Sequence, residues 1–149
     1  MNADIDSVLV AGTGNGPVGV VVLSVDGTRD VLPISTGVEE AASIARGMDA
    51  VDTGRPLTHD LLLDVVEELG GHLDRVVVSS LDGHTYTADV HLDTPRDGVV
   101  VDARPSDSLA LATRTGASIE VASGVFEQGK RPPEAFDDLQ DIRDVTQEA

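Results

Sequence analysis

No cysteine occurs in the 149 residues. That excludes a disulfide frame, thiolate chemistry and any metal site built on paired cysteines. Tryptophan is also missing, and Tyr86, Phe126 and Phe136 are the only aromatic residues. No basic patch is interleaved with rings on which successive bases could stack. No run approaches the ~18 apolar residues of a membrane span. The first residues, Met1-Asn-Ala-Asp-Ile-Asp6, carry acid where a signal peptide carries Lys or Arg. The expectation is a cytoplasmic chain with no membrane attachment. The metalloprotease His-Glu-x-x-His pattern, the Gly-x-Ser-x-Gly elbow and the phosphate-binding loop are all absent.

Basic residues are the other scarcity. Ten Lys and Arg face 27 Asp and Glu, a net charge of -17, and the only lysine is Lys130. The acid is mostly Asp and is spread over every segment, which resembles the surface of a protein from a salt-loving, haloarchaeal-type microbe. Molar salt shortens the Debye length to roughly 3 Å and screens the self-repulsion, so structure is expected to fail below a few hundred millimolar salt. The same charge repels a phosphate backbone over most of the surface. Nucleic acid could be handled only at a local site, or through a bound cation.

At 40% hydrophobic residues the chain is globular, and its length suits one domain. β-Branched runs at 7–11 and 18–25 flank Gly12-Thr-Gly-Asn-Gly-Pro17. A strand followed by glycines invites a dinucleotide-binding reading, but Pro17 stands where a third glycine is needed and another strand follows, not a helix. The glycines are a hairpin loop. Asp26-Gly27 turns into a third strand at 30–35. Val38, Ala41, Ala42, Ala45 and Met48 share one helical face. A second helix opens at Thr58, with Leu61, Leu62, Val65, Val66 and Leu69 as its expected buried stripe and Gly70-Gly71 as its stop. A second meander follows, ending in a strand at Val99–Ala103 that reads as buried. A third helix, a strand at 118–122 and a short helix from Ser123 complete the pattern. Strands grouped in hairpins predict an α+β fold: a mostly antiparallel, mixed sheet of two meanders with helices packed on it. The domain is expected to span 1–128. Residues 129–149 form an acidic tail, read as a weak helix or a disordered segment.

Two charged, proline-containing corners stand out: Arg55-Pro-Leu-Thr-His-Asp60 and Asp102-Ala-Arg-Pro-Ser-Asp107. Thr58 and Ser106 read as helix N-caps, with Asp60 and Asp107 in the first turns where the helix dipole favours acid. If the corners meet, His59, Asp60, Asp102, Arg104 and Asp107 would share a site suited to phosphodiester chemistry. Asp60, Asp102 and Asp107 offer hard oxygen ligands for Mg²⁺ or Mn²⁺. His59 could move a proton. Arg104 or Arg55 could clamp phosphate, and the helix N-termini, with Thr58 and Ser106, could bind an anion. The plainer readings are that these acids only complement helix dipoles and that the arginines form structural salt bridges.

Val31-Leu-Pro-Ile34 with Glu39-Glu-Ala41, then the Arg55–Leu61 corner, then Asp102-Ala-Arg-Pro-Ser-Asp-Ser-Leu-Ala-Leu-Ala112 resemble, in this order and spacing, the bifunctional nuclease family. The resemblance runs from about Val8 to Val125. It implies a compact α+β domain, usually self-associated (a dimer is the favoured form), with activity on both DNA and RNA in some members. Arg55, Thr58, His59 and Asp60, and Asp102, Arg104, Ser106 and Asp107, stand where the family's signature residues stand. Ser35-Thr36 depart from the family's common pattern, which has a bulky residue after Leu-Pro-Ile, and could reshape a groove or an interface. A non-enzymatic module binding a small anion or nucleotide in the same pocket is the alternative.

Overall fold

Val20, Val21 and Val22 follow one another, so along a pleated strand their side chains point to alternate faces. All three are buried, which requires cover on both sides of the sheet. The computed structural model, which describes residues 1–146, supplies that cover. The strand is β2 (Gly16–Val25), paired antiparallel with β1 (Asn2–Thr13) and β3 (Val31–Thr36). Val21 and Leu23 face the main core. Val20 and Val22 face the other way, into a smaller cluster closed by Phe136 and Leu139.

α1 (Val38–Met48) lies across this half of the sheet. Its Ala41 and Ile44 are fully buried, and Ile44 alone is worth about 1.5–3 kcal/mol of burial. Small residues set the approach. A β-carbon on Gly19 of β2 would come within 2.5 Å of the Ala41 β-carbon. α2 (Thr58–Glu68) leads to the second meander, β4 (His72–Asp82), β5 (Thr85–Asp93) and β6 (Gly98–Ala103). α3 (Pro105–Thr115) then packs against α1, with Gly47 on Thr113. β7 (Ser118–Val121) inserts between β1 and β4, pairing parallel with β4. The sheet order is therefore β3-β2-β1-β7-β4-β5-β6, and every other pairing in it is antiparallel. This is the expected single-domain α+β fold with a mostly antiparallel, mixed sheet. α4 (Ser123–Gly129) buries Val125 and Phe126.

Beyond α4 the chain bridges β3 through Arg131 and Val31, makes a 3-10 turn at Pro133–Phe136, pairs β8 (Gln140–Asp141) with β1, and ends in α5 (Ile142–Thr146). Ile142 reaches the main core. Residues 147–149 of the acidic tail lie outside the described residues. No helix among the described residues is long and apolar enough to cross a membrane.

Two expectations about burial are corrected. Val99, Val100 and Val101 do form a strand, but β6 is the last strand of the sheet and all three valines are exposed. The α2 stripe is also misplaced. Leu61, Leu62, Val65 and Leu69 are exposed, and Leu69 keeps 75% of its surface open. α2 turns Leu63 inward instead, against the cluster of Leu73, Val76, Val90, Leu111 and Ala112. Val66 is only half-buried. The helix carries apolar residues around most of its circumference, so periodicity alone could not choose the buried side.

Candidate functional site

The two proline corners do meet. His59 stands in the first turn of α2 and Asp107 in the first turn of α3, and His59 Nε2 lies 2.9 Å from Asp107 Oδ1. Neither hydroxyl caps its helix, which corrects the roles expected for Thr58 and Ser106. Leu57 is the N-cap of α2, so Thr58 is already inside the helix. Arg104 is the N-cap of α3, Pro105 takes the first helical position, and Ser106 follows, buried. Proline suits that position because its missing N–H had no helical partner to lose. The acids do the capping work at α2: Asp60 Oδ2 accepts from the Leu57 N–H at 2.9 Å.

Asp107 also accepts from Arg104, through Nε at 2.9 Å and Nη2 at 3.3 Å. Burial pushes its carboxyl up, but the hydrogen bonds from Arg104 and His59 outweigh that and hold it below the usual carboxylate range. Asp60 is held low as well, chiefly by the Leu57 N–H, then by Arg114.

Two residues that sequence reasoning missed complete the arrangement. Ser43, buried on α1, places its Oγ 2.9 Å from His59 Nδ1. Arg114, near the end of α3, donates from Nε to Asp60 Oδ1 at 2.7 Å, from Nη2 to Ser43 Oγ at 3.3 Å, and from Nη1 to the carbonyls of Ser43 and Ala110. Only 9% of its side chain is exposed. The one sequence cue was that an arginine lies on an otherwise small and apolar helix. Ser43 gave no cue, because a serine within an alanine-rich helix face reads as packing.

This network assigns the His59 tautomer. An ionised Asp107 can only accept, so Nε2 carries the proton. In the neutral ring Nδ1 is then bare, and the Ser43 hydroxyl donates to it. Arg114 can only donate, and it fills a lone pair of Ser43 Oγ. The atom at which His59 takes up a proton is therefore Nδ1, and it is reached through Ser43.

The remaining predicted residues divide. Arg104 approaches Glu40, Nη1 to Oε1, at 3.7 Å and stays largely exposed. Its guanidinium is held more firmly protonated by Asp107. A cleft of about 360 Å³ holds Ser43, His59, Arg104, Asp107, Thr58 and Arg46. The Asp102 side chain makes no hydrogen bond or ion pair among the described residues, but it lines an apolar groove of about 670 Å³ together with Thr58, His59, Arg104 and Asp107. Arg55 stays in the exposed loop before α2 and lines neither space. Among the described residues no three His, Asp or Glu side chains gather as a metal cage. Asp60 is taken up by Leu57 and Arg114, and Asp107 by His59 and Arg104, but Asp107 lines the same groove as Asp102.

Comparison with known proteins places the chain in a family. An uncharacterised protein of Mycobacterium tuberculosis, present in two strains, is 43% identical over 97 residues, 65% of this chain and 57% of its own length. Bifunctional nuclease 2 of Arabidopsis thaliana is 29% identical over 105 residues, 68% of this chain and 32% of the plant protein. The chain thus spans little more than half of the mycobacterial relatives and a third of the plant one. The family model for the bifunctional nuclease domain matches residues 21–134, which contain both corners, Ser43 and Arg114. The chain belongs to the bifunctional nuclease domain family.

Proposed function

We propose that the chain hydrolyses phosphodiester bonds of DNA or RNA at the His59 corner. The observation that carries this reading is the His59–Asp107 contact, which joins two helix N-termini and has Ser43 on the other ring nitrogen. A water beside Ser43 attacks phosphorus. Its proton passes to Ser43 Oγ as the Ser43 proton moves to His59 Nδ1. Asp107 steadies the imidazolium that forms. Arg104 faces the phosphoryl oxygens, and solvent protonates the leaving oxygen. A divalent cation, Mg²⁺ or Mn²⁺, would be held by Asp102 and Asp107. Two carboxylates suffice for an ion bound mainly through substrate phosphate, and such an ion would polarise the phosphoryl group.

The reading has two further parts, and the surface supports the second. The chain works in the cytoplasm as a homodimer. The exposed apolar residues of α2 and the open valine edge of β6 are what an acidic molecule would bury against its own copy, because most of the remaining surface repels.

The test incubates the protein in high salt with single-stranded DNA and RNA, with and without divalent metal. His59→Ala and Asp107→Asn should each lose at least about 100-fold in rate while remaining folded. Equal digestion by both variants overturns the site. A folded wild-type protein that digests nothing favours the second reading, a module that binds a small anion or nucleotide. The acid excess of -17 favours that reading over an enzyme working on long polyanions.

A further inference from the structure

A second cleft, of about 330 Å³, opens on the other side of Arg104. Two helices point their N-termini into it. α1 starts at Gly37 and α3 at Arg104, and neither has a side chain capping its first turn. The N–H groups of Glu39 and Glu40 on one side, and of Ser106 and Asp107 on the other, precede the first intrahelical bonds, which are made by Ala41 and Ser108. Ser106 is the independent observation. It keeps only 6% of its surface, lines this cleft, and its hydroxyl has no hydrogen-bond partner. Arg46 Nε and Arg143 Nε are the solvent-sealed side-chain atoms without a partner among the described residues, and the Ser106 hydroxyl is not one of them, so it stays open to whatever occupies the cleft. His84 and Thr36 line the same space.

One group opposes an anion here. Glu40 lies in the cleft with its carboxylate folded over Gly37, where a β-carbon would come within 2.1 Å of Oε2. It sits across the start of α1 as an internal acid does in a first turn. An incoming anion must displace it, and Arg104, 3.7 Å away, is the group to which it would turn.

We propose that this cleft binds one phosphoryl group, held between the α1 and α3 N-termini by backbone N–H groups, the Ser106 hydroxyl and Arg104. The site shares Arg104 with the hydrolytic corner and uses the Asp107 backbone N–H, but it takes neither the His59 imidazole nor the Asp107 carboxylate. It therefore stands or falls apart from hydrolysis.

The experiment follows amide resonances of the full chain by NMR in high potassium chloride. The titrants are inorganic phosphate, a 5′-phosphorylated deoxydinucleotide and the same dinucleotide without its phosphate. Saturable shifts at Glu39, Glu40, Ser106 and Asp107 are expected with the two phosphate-bearing probes. Ser106→Ala should weaken binding by about 5–10-fold, the size of one lost hydrogen bond. Glu40→Gln should tighten it. Tighter binding of the phosphorylated dinucleotide than of phosphate supports a nucleic-acid end as the occupant, and equal binding supports free phosphate. Either result sustains the site. Absence of saturable shifts, shifts unaltered by Ser106→Ala, or weaker binding by Glu40→Gln overturns it. Because Ser106 is buried, Glu40→Gln, on the cleft wall, keeps the test decisive should the alanine variant misfold. Phosphate binding without hydrolysis would defeat the nuclease reading alone, and hydrolysis without phosphate binding would defeat the cleft alone.

Discussion

The valines of β2 and those of β6 are alike in sequence and opposite in fate. Val20, Val21 and Val22 keep 7%, 0% and 3% of their surface, whereas Val99, Val100 and Val101 keep 42%, 57% and 44%. β2 lies between two strands, with the main core on one face and Phe136 and Leu139 on the other. β6 has one neighbour, β5, and an open edge. The helices repeat the contrast. α1 sinks Ala41, Ile44 and Ala45 into the core, while α2 has no buried residue. One half of the molecule is finished within the chain. The other ends in an apolar surface next to the His59 corner. Burial is a property of what arrives from elsewhere, and a run of valines records only a demand for it.

Removing salt should have the largest effect. With a charge of -17, unfolding is expected below a few hundred millimolar potassium chloride. The α2–β6 half should lose hydrogen-exchange protection before the β1–β3 half. An unchanged melting temperature across the titration would end the halophilic reading. Uniform loss of protection would end the contrast between halves.

In denaturant unfolding of the dissociated monomer Ile44→Ala should cost about 2–5 kcal/mol, whereas Leu62→Ala should stay within about 0.5 kcal/mol. Equal costs would mean that α2 is as buried as α1.

Arg114→Met joins the halves, since Arg114 ties α3 to Asp60 of α2 and to Ser43 of α1. It should cost about 1–3 kcal/mol by leaving those acceptors without a donor. Arg114 acts through Ser43, so kcat should fall with KM nearly unchanged, and the ¹⁵N shift of His59 Nδ1 should move as Ser43 loses its orientation, while Nε2 keeps its proton on Asp107. A purely structural role would leave the His59 shifts alone.

Acid gives a smaller effect. Asp107 and Asp60 titrate lower in the folded chain than their ordinary value of 3.8. Their contribution is therefore present above that pH and is lost as the pH falls through the lowered folded values. Asp107→Asn should flatten this acid limb in a pH series of unfolding midpoints, and an unchanged limb would place the stabilisation elsewhere.

The smallest change in stability should accompany Val100→Lys. The charge on the β6 edge should shift sedimentation from dimer to monomer while leaving the monomer's unfolding within about 0.5 kcal/mol. A monomeric wild-type chain would remove the partner from the exposed face.

Much of the arrangement could be read before any coordinates. The hairpin at Gly12–Pro17 followed from a proline where a dinucleotide fold needs glycine. The limits of α1 followed from its period and from Thr36-Gly37. The meeting of the two corners was legible as a condition, and the His59–Asp107 contact meets it. Other features were not legible. Thr58 and Ser106 look like caps because hydroxyls favour that position. Yet Leu57 and Arg104 hold it, since each helix begins one or two residues earlier than the hydroxyl suggests. Ser43 and Arg114 are 71 residues apart in the chain, and nothing local links them.

Local chemistry in the sequence determined which segments became strands and helices, where turns fell, and that acid would dominate the surface. Each of those choices is made within a few residues by dihedral limits, side-chain period and charge. Tertiary structure decided which apolar faces were covered, which proton His59 carries, and which arginine reaches Ser43. Those outcomes depend on contacts between segments far apart in the chain, and no local preference can specify the partner that closes them.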